Sequence, residues 1–390
     1  MPVTHDAAVV VDCDVHTGFQ HGFTDVVPYL DPQWRHYVDL GKFSGPGRGS
    51  YTPWQGAHRM DSYTDDGRVG SSDYEHLRDH HLDTWSIDIA ISTGDVTALS
   101  VCYMPQREFA NAVASALNDH LIDTWLGRDS RILGSIVVAA QDVATSVAEI
   151  HRVGGHPRVC QVVLPTRSPL TGQWGDERYH PIWEAAIEEG LAIGFHTTAA
   201  GGNTLPPLPT GWPRTYMELT SAYAIPAQAE LLGLVLRGVF EKFPALRVVM
   251  IETGFAWLPS LMWRMDKRWR ELQSEVPWLT RLPSEYILDQ VRLTTQPMEE
   301  PPKPGALAQV IEMMGSENLL MFATDYPHWD FDSPTRALPS ELGADTRRRI
   351  LGENAVEFYR LDKQVEQVRA EQATPAPAAT ADRSSRSDVR

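Results

Sequence analysis

Cysteine and basic residues are both scarce in this chain. It has 3 cysteines among 390 residues, and they lie in or beside apolar, strand-like segments without paired spacing (Cys13, Cys102 and Cys160). Such cysteines are typical of small buried side chains in a reduced compartment and argue against a disulfide framework. Lys and Arg total 34 against 51 Asp and Glu, which gives a net charge of −17. This charge excludes a nucleic-acid groove, because such a groove needs a basic surface.

Three sequence features of membrane and nucleotide-binding proteins are also absent. No apolar run reaches the roughly 20 residues that span a bilayer. The first residues, Met1 to Asp6, lack the basic and apolar regions of a signal peptide. No glycine-rich phosphate loop follows the first strand-like run, which disfavours an open nucleotide-binding sheet. We therefore expect a cytoplasmic protein that acts on a small-molecule substrate, with neither nucleic acid nor membrane as a partner.

Short apolar runs alternate with helical patterns along most of the chain. With 42% hydrophobic residues, the chain has ample material for a core. The strand-like runs lie at about 8–12, 86–92, 132–139, 158–164, 191–195, 246–251, 290–294 and 318–323, and helical patterns lie between them at 105–127, 143–153, 181–190, 224–242, 255–273 and 304–315. This alternation predicts parallel strands joined by right-handed crossovers. Eight units predict an α/β fold, a TIM (β/α)₈ barrel, with an open doubly wound sheet as the alternative.

Regions outside this alternation define the expected domain boundaries. We predict an N-terminal extension over 1–7, the barrel over 8–361, and a helix end with a disordered tail over 362–390, since the composition becomes low-complexity from about Gln372. Long insertions follow the first strand at 17–72 and the fifth strand at 199–216. Loops of this length in a compact domain are usually functional lids or mobile segments.

Candidate metal ligands lie at the ends of four predicted strands. Asp14 and His16 follow the first strand, and they point to the same side because side-chain direction has a period of two, with Cys13 pointing away. His196 ends the fifth strand, and the sixth and eighth strands end at Glu252 and Asp325. In a (β/α)₈ barrel the C-terminal strand ends build the active site. Imidazole and carboxylate groups at one mouth predict a site for Zn²⁺, Mn²⁺ or Fe²⁺.

These residues resemble the motifs of the amidohydrolase superfamily. The likeness is closest to the branch that contains aminocarboxymuconate-semialdehyde decarboxylase and the resorcylate and carboxyvanillate decarboxylases. It rests on Asp14-x-His16, His196 and Thr324-Asp325-Tyr326-Pro327-His328, with further similar segments at 243–248, 257–259, 263–266 and 353–355, and it runs from about 8 to 361. The resemblance implies a TIM barrel, a divalent metal held by Asp14, His16, His196 and Asp325, and a chain that pairs as a homo-oligomer such as a dimer, or as a hetero-oligomer.

Two positions depart from that resemblance. The first motif commonly begins with His or Glu, where this chain has Asp14, and the decarboxylases tend to have a His where Glu252 stands. Asp14, Glu252 and Asp325 would then place three negative charges near one cation, which requires protonation or more positive charge. One possibility is a second metal bridged by Glu252, with His328, His81 or Glu218 as further ligands. The other is that Glu252 orients water or a ligand histidine without touching the metal.

The same residues allow three reactions. The leading prediction is a hydrolase, in which metal-activated water attacks the substrate after Asp325 or Glu252 takes its proton. The first alternative is a non-oxidative decarboxylase of a small aromatic or enol-type carboxylic acid, in which His328 protonates carbon as CO₂ leaves. The second alternative is a dinuclear iron or manganese–iron oxygenase. The predicted cofactor is therefore one or two divalent ions per chain.

Overall fold

A computed structural model describes residues 8–46, 57–168, 172–197, 208, 211–303 and 305–373. Within these residues, eight parallel strands follow one another in a single sheet in chain order. They are Val11–Val15 (β1), Ile89–Ser92 (β2), Ile132–Val137 (β3), Val159–Pro165 (β4), Ala192–His196 (β5), Val248–Ile251 (β6), Val291–Thr294 (β7) and Leu320–Met321 (β8). The main chain of β1 also meets the segment after β8, where the Cys13 amide donates to Phe322 O at 3.0 Å and the His16 amide donates to Tyr326 O at 2.9 Å. The predicted TIM barrel is confirmed.

Most helices pack around the barrel between successive strands, and the last three follow β8, with Phe358 of the second of these three packing against the cluster inside the barrel. The helices are Pro32–Gly41 (α1), Tyr74–Leu77 (α2), Val96–Ser100 (α3), Arg107–Leu121 (α4), Val143–Val153 (α5), His180–Glu188 (α6), Tyr216–Ser221 (α7), Ala224–Leu236 (α8), Val239–Lys242 (α9), Leu258–Leu272 (α10), Pro283–Gln290 (α11), Ala306–Met313 (α12), Ala344–Arg348 (α13), Asn354–Tyr359 (α14) and Asp362–Ala373 (α15). The helix predicted at 143–153 is confirmed as α5. The pattern at 224–242 is divided into α8 and α9 at Gly238, whose φ of 78° lies in the left-handed region that ends helices.

The first and last strands differ most from their predicted bounds. β1 lies three residues beyond the predicted 8–12, and β8 has only two residues of the predicted 318–323. An apolar run in the sequence indicates which side chains are buried, whereas the bounds of a strand also depend on where a neighbouring strand provides main-chain hydrogen bonds. Val10 packs on the outer core and its carbonyl accepts from the Asp88 and Ile89 amides, but residue-by-residue pairing of β1 with β2 begins only at Val11.

The hydrophobic core has an outer layer and an interior cluster. The outer layer packs between the barrel wall and the helices, and it includes Val15, Val162 and Phe195. The interior cluster includes Val11 and Cys13, whereas Val15 packs in the outer layer, so the strict alternation that would put Cys13 on the side opposite the ligands breaks after Cys13. The reason is a shift in β1–β2 register between Asp12 and Val15, which is typical of a bulge. The interior cluster fills the barrel below the C-terminal strand ends.

Several expectations concern segments that the structure describes only in part. Residues 1–7 and 374–390 lie outside the described residues, as does most of the insertion at 199–216, so the extension, the disordered tail and the lid role stay predictions. The insertion at 17–72 includes α1. One stretch, Tyr216–Leu236, has the length and composition to cross a membrane. No apolar run of that length was expected from the sequence. Half of its most apolar 18-residue segment is buried, and the core helices of soluble proteins can have the same length and composition.

Candidate metal centre

Asp14, His16 and His196 converge at the C-terminal mouth of the barrel, with one ligand atom of each within 4.8 Å of the others. The His16 Nε2 atom lies 3.7 Å from Asp14 Oδ1, and the His196 Nε2 atom lies 3.4 Å from Asp14 Oδ2. All three side chains are buried. Asp325 joins them from the segment after β8, because its Oδ1 atom lies 2.7 Å from His16 Nε2. Side chains from the end of β1, the end of β5 and the segment after β8 therefore form one polar cluster.

The hydrogen bonds of the two imidazoles determine which nitrogen faces Asp14. His16 Nδ1 donates to Gly94 O, and His196 Nδ1 donates to Thr197 O. Each ring therefore directs Nε2 toward the carboxylates, which is how a carbonyl orients a metal-binding histidine. Within the described part of the chain, His196 Nε2 and Asp14 Oδ2 are buried and have no hydrogen-bond partner. Two unpaired buried lone-pair donors 3.4 Å apart fit a divalent cation.

The electrostatics of the cluster favour added positive charge. Burial alone would lower the pKa of His16, but the Asp14 charge and the hydrogen bond to Asp325 outweigh burial and raise this pKa to about 10. Asp325 shows the complementary effect: burial would raise its pKa, yet His328 and His16 hold it below its usual range. In the absence of a metal, a proton on His16 therefore supplies the cation that the carboxylates require.

Glu252 and Asp330 extend the cluster beyond Asp325, and the Oε2 atom of Glu252 lies 3.8 Å from His196 Nδ1. Glu252, Asp325 and Asp330 each offer an oxygen within 4.8 Å of the other two. Burial, and then the charges of Asp325, Asp330 and Asp14, raise the pKa of Glu252 well above its usual value. Burial followed by the Asp325 charge raises the pKa of Asp330 to about 7. Sequence reasoning missed Asp330, because it lies on the loop beyond Trp329 rather than at a strand end.

His328 lies at the edge of this cluster. Its Nδ1 atom lies 2.7 Å from Asp325 Oδ1, and its ring centroid lies 4.4 Å from that of His16. Its side chain is 26% exposed, whereas the Asp325 side chain is fully buried. The His58 ring stacks on it at 5.6 Å, so the insertion after β1 forms one wall of the mouth. His328 is therefore positioned to contact both the cluster and a bound molecule.

His81 and Glu218, predicted as additional ligands, do not join the cluster. His81 is buried outside the barrel wall, where its Nε2 atom lies 2.8 Å from Asp12 Oδ2 and its ring stacks on Tyr326 at 4.4 Å. Glu218 lies on α7, is exposed, and accepts a hydrogen bond from the Arg214 amide. The ligand role of His81 is corrected to a structural pairing with Asp12, since the helical turn that carries His81 packs against the outside of β1.

Asp12 was overlooked, although it precedes Asp14 by two residues. Its Oδ1 atom accepts from the Thr324 amide at 2.9 Å, and its Oδ2 atom accepts from Thr324 Oγ1 at 2.6 Å. It thereby fixes the residue immediately before Asp325, whose φ of 59° is left-handed. A non-glycine residue in that region costs on the order of 1 kcal/mol or more and persists only where its surroundings hold it. The spacing Asp12-x-Asp14-x-His16 was the available sequence signal.

The family model described as amidohydrolase matches residues 95–361, more than half of the chain. The chain belongs to the amidohydrolase family. This result agrees with the resemblance derived from the strand-end motifs. The amidohydrolase fold supplies the barrel in which Asp14, His16, His196 and Asp325 meet.

Relatives of this amidohydrolase include decarboxylases. It is 24% identical over 314 residues to a gamma-resorcylate decarboxylase of Rhodococcus jostii, covering 77% of this chain and 92% of the relative. Its fold is similar to 5-carboxyvanillate decarboxylase of Sphingomonas paucimobilis, with a TM-score of 0.65 and 21% identity over 91% and 99% of the two chains. It is also similar to a dihydroxybenzoic acid decarboxylase of Polaromonas with bound manganese, with a TM-score of 0.62 and 18% identity over 91% and 98%. A divalent metal fits the cluster of this amidohydrolase.

Proposed function

We propose that this amidohydrolase is a divalent-metal-dependent, non-oxidative decarboxylase of a small aromatic carboxylic acid with a neighbouring hydroxyl group. The curated relatives and solved structures described above support this activity more than the hydrolase that the sequence placed first. The hydrolase remains a prediction that the same experiment decides. The observation that carries the proposal is His328, a partly exposed imidazole adjoining the buried cluster.

The cation would be held by Asp14, His16, His196 and Asp325, and the unpaired buried atoms Asp14 Oδ2 and His196 Nε2 fit it. When bound, it would supply positive charge that draws a substrate carboxylate and its neighbouring hydroxyl into the mouth. Manganese is the first ion to test, because the Polaromonas decarboxylase holds it. The hydrogen bonds of His16 and His196 to Gly94 O and Thr197 O direct both Nε2 atoms inward, and His16 would give up its proton when a cation takes that place.

His328 provides the proton in this proposal. During decarboxylation the bond from the ring carbon to the carboxylate breaks, CO₂ leaves, and the electron pair stays on carbon and takes up one proton. His328 uses Nδ1 for its contact with Asp325, which leaves Nε2 as the nitrogen that can deliver that proton. The stacked ring of His58 limits rotation of the His328 ring and so keeps Nε2 in the mouth.

The test is product analysis with manganese-loaded protein and 2,6-dihydroxybenzoate or 5-carboxyvanillate. We expect CO₂ release without oxygen uptake, and one deuterium at the vacated ring carbon when the reaction runs in D₂O. His328→Gln should lower kcat by roughly 100-fold or more while the bound manganese stays unchanged, because loss of a general acid costs about 10²–10⁴ in rate. Hydrolysis of esters or amides without CO₂ release from any acid would contradict the proposal and restore the hydrolase.

A dinuclear oxygenase is a second candidate that one observation favours. Glu252, Asp325 and Asp330 lie within 4.8 Å of one another, next to the Asp14–His16–His196 group. Four carboxylates exceed the charge of one divalent ion, so either protons on Glu252 and Asp330 or a second cation must relieve the repulsion. Metal analysis of anaerobically purified protein distinguishes these cases. Two iron or manganese ions per chain with substrate-dependent O₂ uptake would favour the oxygenase, and one ion without O₂ uptake would favour the decarboxylase.

A further inference from the structure

The end of β7 contributes no metal-ligand candidate, yet its side chains contact the neighbouring strand ends on both sides. Thr294 Oγ1 accepts from the Glu252 amide at 3.0 Å, and Thr295 Oγ1 accepts from the Ala323 amide at 3.2 Å. The next residue, Gln296, is fully buried. Three consecutive side chains of this segment therefore connect the ends of β6 and β8, where Glu252 and Asp325 lie.

Gln296 makes the direct contact with a candidate ligand. Its Nε2 atom donates to Asp325 Oδ2 at 3.1 Å and lies 3.5 Å from Asp330 O. The other oxygen of Asp325, Oδ1, is shared by His16 Nε2 and His328 Nδ1, each at 2.7 Å. The amide and the two imidazoles thus approach different oxygens of one carboxylate. A carboxylate held at both oxygens cannot rotate freely about its terminal torsion.

The chemistry of an amide suits this position. A lysine or arginine beside Asp325 would add positive charge and compete with a cation, and a carboxylate would add repulsion to a cluster that already has four acidic side chains. A neutral N–H donor orients Asp325 without changing its charge. Its second contact, with the carbonyl of Asp330, joins the same amide to the loop that brings the fourth carboxylate to the mouth.

We propose that Gln296 is a positioning residue that fixes the orientation of the Asp325 carboxylate for cation binding. This inference rests on the proposed function only in requiring that the cluster binds a divalent cation. It predicts weaker cation binding when the amide is removed, by about 10-fold to 100-fold, which is the usual effect of losing a hydrogen-bond partner of a metal ligand.

Gln290 provides a matched control within the same chain. It is also a buried glutamine, and its Nε2 atom also donates to two acceptors, Phe243 O at 2.9 Å and Leu246 O at 3.1 Å. It ends α11, at the opposite end of β7 from the cluster. Gln290→Met and Gln296→Met therefore remove the same kind of buried amide and replace it with a side chain of similar size.

The experiment is titration of metal-free, full-length protein with Mn²⁺, followed by electron paramagnetic resonance of free and bound manganese, together with thermal unfolding of each metal-free variant. We expect both variants to lose similar stability, but only Gln296→Met to bind Mn²⁺ about 10-fold to 100-fold more weakly and to show an altered bound-manganese spectrum. If Gln296→Met does not fold, Gln296→Asn, whose shorter amide cannot reach Asp325, carries the same expectation. Unchanged affinity and spectrum in the Gln296 variant would overturn the inference while leaving the decarboxylase proposal intact. Failure of the parent protein to bind Mn²⁺ would overturn both.

Discussion

Replacement of His196 by alanine tests the metal centre with a stability measurement alone. In the metal-free protein its Nε2 atom and Asp14 Oδ2 are both buried without hydrogen-bond partners in the described part of the chain. An unpaired buried polar group costs about 1–3 kcal/mol. His196→Ala removes one of these groups, which offsets part of the packing that it loses. We therefore expect His196→Ala to fold without metal and to lose the stabilisation that added metal gives the parent protein.

The expected size of that response follows from mass action. A ligand present at about 100 times its Kd stabilises the folded state by ~2.7 kcal/mol, and at about 1,000 times by ~4.1 kcal/mol. An unfolding entropy of about 2.1 cal/mol/K per residue gives ~0.8 kcal/mol/K for a chain of this length. The parent protein should therefore show a Tm increase of ~3–5 °C on saturation with Mn²⁺, and His196→Ala should show an increase below ~1 °C.

The assay is differential scanning calorimetry with and without Mn²⁺, supported by metal analysis after gel filtration. His120→Ala is the matched control, because His120 is also buried but packs beside Phe19, with ring centroids 5.1 Å apart, and does not belong to the candidate metal cluster. The control should retain the full Tm increase. If His196→Ala kept both the Tm increase and the metal content, His196 would not be a ligand.

Three further predictions concern the protonation of His16 and Glu230 and the contact between Asp12 on β1 and the segment after β8. The pKa of His16 is raised to about 10 in the metal-free protein, so at pH 7 His16 carries a proton that a cation must displace. The apparent Mn²⁺ affinity should therefore rise up to tenfold per pH unit between pH 6 and 8, and titration calorimetry in two buffers should detect about one proton released per bound ion. An affinity that does not depend on pH would contradict this. Glu230 accepts from the Trp174 amide, and burial raises its pKa from 4.5 to about 7. A raised carboxyl pKa gives stability that is present below pH 4.5 and is lost as pH rises through 7. Between pH 5 and 8 the free energy of unfolding of Glu230→Gln, measured with urea, should therefore rise by up to roughly 3 kcal/mol relative to that of the parent protein. Equal pH dependence in both proteins would refute the assignment. Asp12→Ala leaves His81 and Thr324 without their shared acceptor and should cost about 3–5 kcal/mol in the same assay, and a loss below ~1 kcal/mol would show that this contact is dispensable.

The barrel and four of its candidate ligands were predictable because both depend on short-range patterns. Alternating strands and helices specify the fold class, and the fold brings strand ends such as those with His16 and His196 to one mouth. Asp330 could not be predicted in this way, because its position depends on how the loop after β8 packs. His81 was misassigned because the sequence does not state on which side of the barrel wall the turn before β2 lies. Asp12 was overlooked because the first strand was placed three residues too early.

The contact between His16 and Asp325 joins residues 309 positions apart, at the seam where the first strand meets the last. A cation bound there would connect the end of β1 to the segment after β8 and so hold the two ends of the barrel sheet together. During synthesis, Asp14 and His16 emerge from the ribosome long before Asp325, so a coordination shell with all three residues would be complete only after β8 docks. We therefore expect the cation to bind after the barrel has closed.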